Sequence, residues 1–300
     1  MIRIGVDFGG TKIEAAAVDD GGAIVARVRA PNPRIYEQSL RVVAEVVAEA
    51  ERLAGVGRLR VGVGMPGSLS PVTGLIRNAN SLWLADRPFP QDLERVLERP
   101  VRVSNDANCF ALSEAVGGAA DGARVVFGAI LGTGCGGGVV VDRTVVEGRN
   151  LIAGEWGHSP LPWPSEDERA AHRCWCGRVD CLETWISGTA FTADYARRAG
   201  ETLEGEKIVE RARAAEPHAV ATLEAYVERL GRGLAVICDI LDPDVIVLGG
   251  GMSQVKELYD QAPAAIARWV FSDVFVTPVA PAAFGDSSGV RGAAWLWPAD

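Results

Sequence analysis

One short pattern occurs twice in this chain and leaves few folds open to it. An apolar run, a glycine turn and a second apolar run span residues 3–18, turning at Asp7-Phe8-Gly9-Gly10-Thr11-Lys12. The same order recurs at 125–141, turning at Gly132-Thr133-Gly134-Cys135-Gly136-Gly137-Gly138. Each half then carries a further run stopped by glycine, VGVGMPGS at 61–68 and VIVLGGGMS at 245–253. Apolar runs this short between turn residues are buried strands. Two halves that open alike predict a duplicated α/β fold with a cleft between them.

The remaining pattern fills in the helices. Leu40, Val43, Val47 and Ala50 place one on 39–54, and 107–116 follows a strand at 101–103. Val220, Leu223, Val227, Leu230, Leu234, Ile237 and Leu241 alternate spacings of three and four, a long helical stripe that Pro243 ends. A last helix is expected over 288–296. The domain boundary is expected near Gly117-Gly118, giving an N-terminal domain of 1–117, to which 287–300 returns, and a C-terminal domain of 118–286. Val125 to Val141 is uncharged over 17 residues, but six are glycines, so it reads as two strands and not a membrane span. The N-terminus meets Asp7 and Lys12 before any apolar leader region can form, so a cytoplasmic location is expected. A net charge of −9 argues against general binding to nucleic acid or anionic membrane.

Glycine makes up 35 of 300 residues, well above the typical level of about 7%, and it concentrates at strand ends. In the first turn, Gly9 and Gly10 can turn backbone N–H groups toward a phosphate. Asp7 can hold Mg²⁺ through water, and Thr11 and Lys12 can reach phosphate oxygens. Gly132, Thr133, Gly134 and Gly136 form the equivalent turn, and Gly250 and Gly251 a third. Three such turns fit a nucleotide better than three unrelated hairpins. Asn105-Asp106-Ala107-Asn108 ends a strand and opens a helix. Asp106 is there either a helix cap or the base that orients a substrate hydroxyl.

Residues 158–181 hold three prolines, three cysteines and two histidines with little periodicity, a loop-rich insert expected over 158–183. Cys174, Cys176 and Cys181 are spaced as ligands for tetrahedral Zn²⁺. The fourth ligand is His158 or His172, which spacing does not separate. A site closed by four protein ligands is structural. Glu183, two residues after Cys181, would be positioned by that metal. Cys109, Cys135 and Cys238 sit in apolar or glycine-rich contexts and read as core.

In order and spacing, these motifs resemble the ROK family of sugar kinases and repressors. DFGGTK and GTGCGGG resemble its two phosphate loops, NDAN its catalytic turn, and GEWGH followed by CWCGRVDCLE its zinc and sugar signature. The resemblance implies an actin-like ATPase (ribonuclease H-like) fold, with two α/β domains and ATP in the cleft. It implies that Asp106 is the catalytic base and that Asn105, Glu155, His158 and Glu183 hold sugar hydroxyls. It also implies that His158 completes the zinc set and that the protein is a homodimer. With a strand beginning at residue 2, the helix-turn-helix of the family's repressors is not expected.

The segment GSLSPVTGLIRNANSLWL most resembles bacterial fructokinases of the manno(fructo)kinase type. The expected reaction is therefore MgATP-dependent conversion of fructose to fructose 6-phosphate, with Gly67 and Asn80 among the sugar contacts. Trp83 would stack on the sugar and crowd an N-acetyl group. N-acetylglucosamine kinase is the alternative, and a non-catalytic sugar sensor a further one.

Overall fold

The computed structural model of the protein describes residues 1–79, 81–170 and 172–298. The chain opens with β1 (Ile2–Phe8), β2 (Lys12–Asp19), β3 (Ile24–Pro31), α1 (Tyr36–Ala54) and β4 (Val61–Met65). A small hairpin follows, β5 (Ser68–Leu69) and β6 (Ile76–Arg77), then α2 (Phe89–Leu97), β7 (Val101–Asn105) and α3 (Asp106–Ala115). The second half opens with β8 (Val125–Leu131), β9 (Cys135–Val141) and β10 (Thr144–Val145). It continues through α4 (Glu183–Ile186), α5 (Gly188–Ala199), α6 (Gly205–Arg213), α7 (Pro217–Leu241) and β11 (Val245–Gly249). The chain closes with α8 (Glu257–Ala267), β12 (Val279–Pro281) and α9 (Ser288–Ala294).

The duplicated pattern is a duplicated topology. One sheet has the order β3-β2-β1-β4-β7 and the other β10-β9-β8-β11-β12. β1 pairs antiparallel with β2 and parallel with β4, and β4 parallel with β7. In the other sheet β8 pairs parallel with β11, and β11 with β12. All of β4 is buried, which is why it is a continuous apolar run with no alternation. α1 lays Leu40, Val43, Val47 and Ala50 on the sheet, and Gly55 ends it in the left-handed conformation. α7 is capped by the Glu216 carboxylate, which accepts from the N–H groups of His218 and Ala219, and it stops before Pro243. No helix among the described residues is long and apolar enough to cross a membrane.

The chain forms two compact units, Met1–Ala123 with Gly138–Gly154 and Ala283–Asp300, and Arg124–Gly137 with Glu155–Ala282. The expected division differs from this over 118–123, 138–154 and 283–286, which all fall in the first unit. Gly138–Gly154 belongs to the first unit, because β10 packs on α3 and Ser104 Oγ donates to Glu147 Oε1 at 3.1 Å. α9 also belongs there, packed on β1, β4 and α3. The buried Glu114 of α3 receives the Ser288 hydroxyl at 3.1 Å and the Ala283 N–H at 2.9 Å, which fixes the start of α9.

In the second unit the loop-rich insert is tied down by charge. Arg229 of α7 donates to Glu168 at 2.7 Å and to Asp194 at 2.8 Å, and Arg232 donates to Glu168 at 2.9 Å. All four side chains are buried. Burial, the largest influence, raises the Glu168 carboxyl, but the Arg229 bond, the Ser165 N–H and Arg232 together hold it below the ordinary range. Arg229→Met would leave two buried carboxylates short of a partner, a loss of about 3–5 kcal/mol by urea denaturation. Arg52→Ala, which breaks an exposed pair with Glu49, should leave the urea midpoint unchanged.

Candidate active site

In the first unit the parallel register aligns the C-terminal ends of three strands. Asp7 of β1 lies opposite Gly64 of β4, and Gly64 opposite Ser104 of β7; Met65 and Asn105 form the next rung. Strand ends of this kind are where open α/β sheets bind ligands. Asn105 Oδ1 caps α3 by accepting from Ala107 N–H at 2.8 Å, so the capping role belongs to Asn105 and Asp106 is the first helical residue. Asp106 Oδ1 also accepts from Ala107 N–H, at 2.9 Å. Asn105 Nδ2 donates to the Gly67 carbonyl at 2.9 Å, which joins Gly67 to the Asn105-Asp106 turn. Gly67 has φ +84°, and a Cβ there would stand 2.6 Å from the Arg77 carbonyl of the returning hairpin, so only glycine fits.

The Gly9-Gly10-Thr11 turn is held from outside. Asn32 Nδ2 donates to Gly9 O at 2.7 Å and Arg34 Nε to Gly10 O at 3.0 Å. Thr11 is exposed. The Lys12 ammonium lies 3.8 Å from Glu14, a buried carboxylate that also holds Arg27 and Arg29. Asn80 lies outside the described residues. Trp83 is not a free platform. Its ring packs 5.7 Å from that of Phe8, against the hydrophobic core.

In the second unit His158, Cys174, Cys176 and Cys181 converge, with their ligand atoms all within 4.8 Å of one another. Cys174 Sγ lies 3.6 Å from His158 Nδ1, and Cys176 Sγ 3.6 Å from Cys181 Sγ. Zinc–sulfur bonds of about 2.3 Å at the tetrahedral angle put ligand atoms roughly 3.7 Å apart, so this donor set fits Zn²⁺. His172 is not among them; its ring packs on Trp185.

Glu183 lies between this cluster and the glycine hairpin. Its Oε1 accepts from the Trp175 indole N–H at 2.7 Å and its Oε2 from Cys135 N–H at 3.0 Å. A Cβ on Gly134 would fall 2.6 Å from that same Oε2, so Gly134 makes room for the carboxylate. Gly136 O accepts from the Trp156 indole at 2.9 Å, which anchors the GEWGH turn, and His158 N–H closes that turn onto Glu155 O at 3.2 Å. Burial raises the Glu155 carboxyl; His158 opposes this and Glu183 adds to it. Cys109, Cys135 and Cys238 are buried.

A cavity of about 600 Å³ opens at the C-terminal end of β8, large enough for a nucleotide. Gly132, Thr133 and Gly251 line it, whereas Gly134 and Gly136 are engaged with Glu183 and Trp156, and Gly250 packs on the Leu131 backbone. Its other walls come from α5 and α6, through Gly188, Thr189, Gly205, Val209 and Arg213. These residues carry no motif, and their only sequence signal is helical periodicity.

Asp7 faces Glu14 across the β1–β2 pairing and is partly buried. Burial first, then Glu14, raises its carboxyl from 3.8 to about 6, against the pull of Lys12, Arg27 and Arg29. The folded protein thus holds this proton more tightly than the unfolded chain, and stability falls as pH rises from about 4 through 6. Two pK units correspond to about 3 kcal/mol. Asp7→Asn should therefore stabilise the ligand-free protein at pH 8, by up to that amount, with the gain fading as pH falls from about 6 to 4 and absent below that. Thermal melts across pH measure it.

A model of the ROK family matches residues 3–300. The chain is 38% identical over 297 residues to an N-acetyl-D-glucosamine kinase of Yersinia pseudotuberculosis, covering 97% of both chains. It is also 38% identical to an N-acetylgalactosamine kinase of Shewanella sp., covering 97% of this chain and 95% of the relative. The crystal structure of a ROK hexokinase from Thermus thermophilus superposes with a TM-score of 0.88 at 32% identity, covering 99% of this chain and 97% of the other. With the duplicated sheets and the strand-end site already described, the chain belongs to the ROK family, as a sugar kinase of the actin-like ATPase fold.

Proposed function

We propose that the protein transfers the γ-phosphoryl group of MgATP to a hydroxyl of an N-acetylhexosamine, N-acetylglucosamine first among them. The near full-length match to an N-acetylglucosamine kinase supports this acceptor over fructose. The expectation of fructose rested in part on Trp83, whose ring packs on Phe8. Asp106 is the base. The sugar hydroxyl oxygen bonds to the γ-phosphorus, the bond to the bridging oxygen of ADP breaks, and the hydroxyl proton passes to the carboxylate. Because such transition states are loose, the carboxylate acts mainly by aiming the hydroxyl.

The other roles follow the same reading. Asn105, Gly67, Glu155, Glu183 and His158 hold sugar hydroxyls. The cavity beside Gly132 and Gly251 takes the nucleoside. Mg²⁺, when bound, neutralises phosphate charge, and Asp7 would hold it through water. Zn²⁺ would be held by His158, Cys174, Cys176 and Cys181 in a structural role. With Nδ1 toward the thiols, the Nε2 of His158 is left for the sugar, so the metal would orient a substrate ligand.

Three measurements test this. In a panel of N-acetylglucosamine, glucose, mannose and fructose at one ATP concentration, N-acetylglucosamine should lead fructose in kcat/KM by at least about 10²-fold. Fructose leading would restore the fructokinase reading, and the absence of ATP turnover with any of the four sugars would point to the non-catalytic sensor. Asp106→Asn should keep the fold and lower kcat by about 10²–10⁴-fold. Elemental analysis should find one zinc per chain, and Cys176→Ser should lower both zinc content and activity.

A further inference from the structure

Beside Asn105 in the first unit lies a small cavity of about 50 Å³ that none of these roles uses. Its apolar wall is Met65, Leu69, Val103 and Leu151. Its polar wall is built from Ser68, Ser104, Asn108 and Glu147. There Asn108 Nδ2 donates to Ser104 Oγ at 3.3 Å, and Ser104 Oγ donates onward to Glu147 Oε1 at 3.1 Å. That chain leaves Asn108 Oδ1 buried without a hydrogen-bond partner. Buried acceptors are normally paired, so the polar wall is incomplete as it stands.

We propose that this cavity receives the 2-acetamido group of the sugar. The proposal rests on the N-acetylhexosamine reading and says where its specificity is held. One water needs roughly 10–15 Å³ of such space, so the cavity admits the few heavy atoms of an acetyl group and nothing much larger. Its lining matches the parts of an acetamide: Leu69, Val103 and Leu151 for the methyl, the unpartnered Asn108 Oδ1 for the amide N–H, and the Ser68 hydroxyl for the C=O. The Ser68 hydroxyl accepts from Asn78 Nδ2 at 3.4 Å, which leaves its proton for the amide carbonyl. Position supports this as well, since Asn105 both lines the cavity and adjoins Asp106. A plain hydroxyl at that carbon would leave the space unfilled.

The test fills the cavity from its apolar side. Leu151→Phe and, independently, Leu69→Phe are assayed on N-acetylglucosamine and on glucose, with melting curves to confirm folding. Loss of room for a methyl-sized group is worth about 10–200-fold. Each variant should therefore lose at least about tenfold in kcat/KM for N-acetylglucosamine, mainly through KM, while glucose stays within about twofold. An equal fall for both sugars, or no fall for either in folded variants, would overturn the assignment while leaving the kinase reading intact. A wild-type enzyme that does not phosphorylate N-acetylglucosamine would overturn both.

Discussion

Parallel pairing of strands that are buried on both faces is the constraint from which the site follows. It obliges each strand to be a short apolar run, and it brings their C-terminal ends to one edge of the sheet. In the first unit that edge carries Asp7, Gly64, Ser104 and Asn105 on neighbouring rungs. In the second it carries the turn after β8 and the glycines after β11. The polar chemistry is therefore confined to the residues just past each strand, where the backbone leaves the sheet and its N–H groups have no ladder partner.

In the second unit the cysteine loop positions a carboxylate that lies just outside it. Glu183 is held by the Trp175 indole from the cysteine loop and by Cys135 N–H from the glycine hairpin. Anything that loosens the loop would move one donor and leave the other. The insert is braced again by Glu168, set between Arg229 and Arg232 of α7. A buried ion network of this kind is a poor source of net stability, yet its loss is costly, which makes it a device for holding geometry.

Much of this was legible before any coordinates. Strand runs, the α7 stripe and the stop at Pro243 follow from periodicity and from proline's missing donor. The cysteine spacing pointed to a tetrahedral site because three thiols so close have few other uses. Other features were not legible, for particular reasons. Spacing left His158 and His172 equal; folding brings His158 to the thiols and places His172 against Trp185. Nothing in the loop around Trp83 says which way the ring points; folding packs it against Phe8. The walls of the larger cavity are scattered over α5, α6 and the turn after β11, so no local motif announces them.

The sequence by itself determined the duplicated α/β plan, the glycine turns at strand ends, the catalytic candidate Asp106 and the zinc-type cluster. Each depends on residues within a few positions of one another, where backbone sterics and side-chain chemistry act directly. Tertiary structure alone decided that Gly138–Gly154 joins the first unit, that Asn105 Nδ2 reaches the Gly67 carbonyl, and that Glu147 and Leu151 help to close a small cavity beside Asn105. Those outcomes depend on contacts between segments far apart in the chain, and packing chooses among such contacts by shape and hydrogen-bond satisfaction that no local pattern encodes.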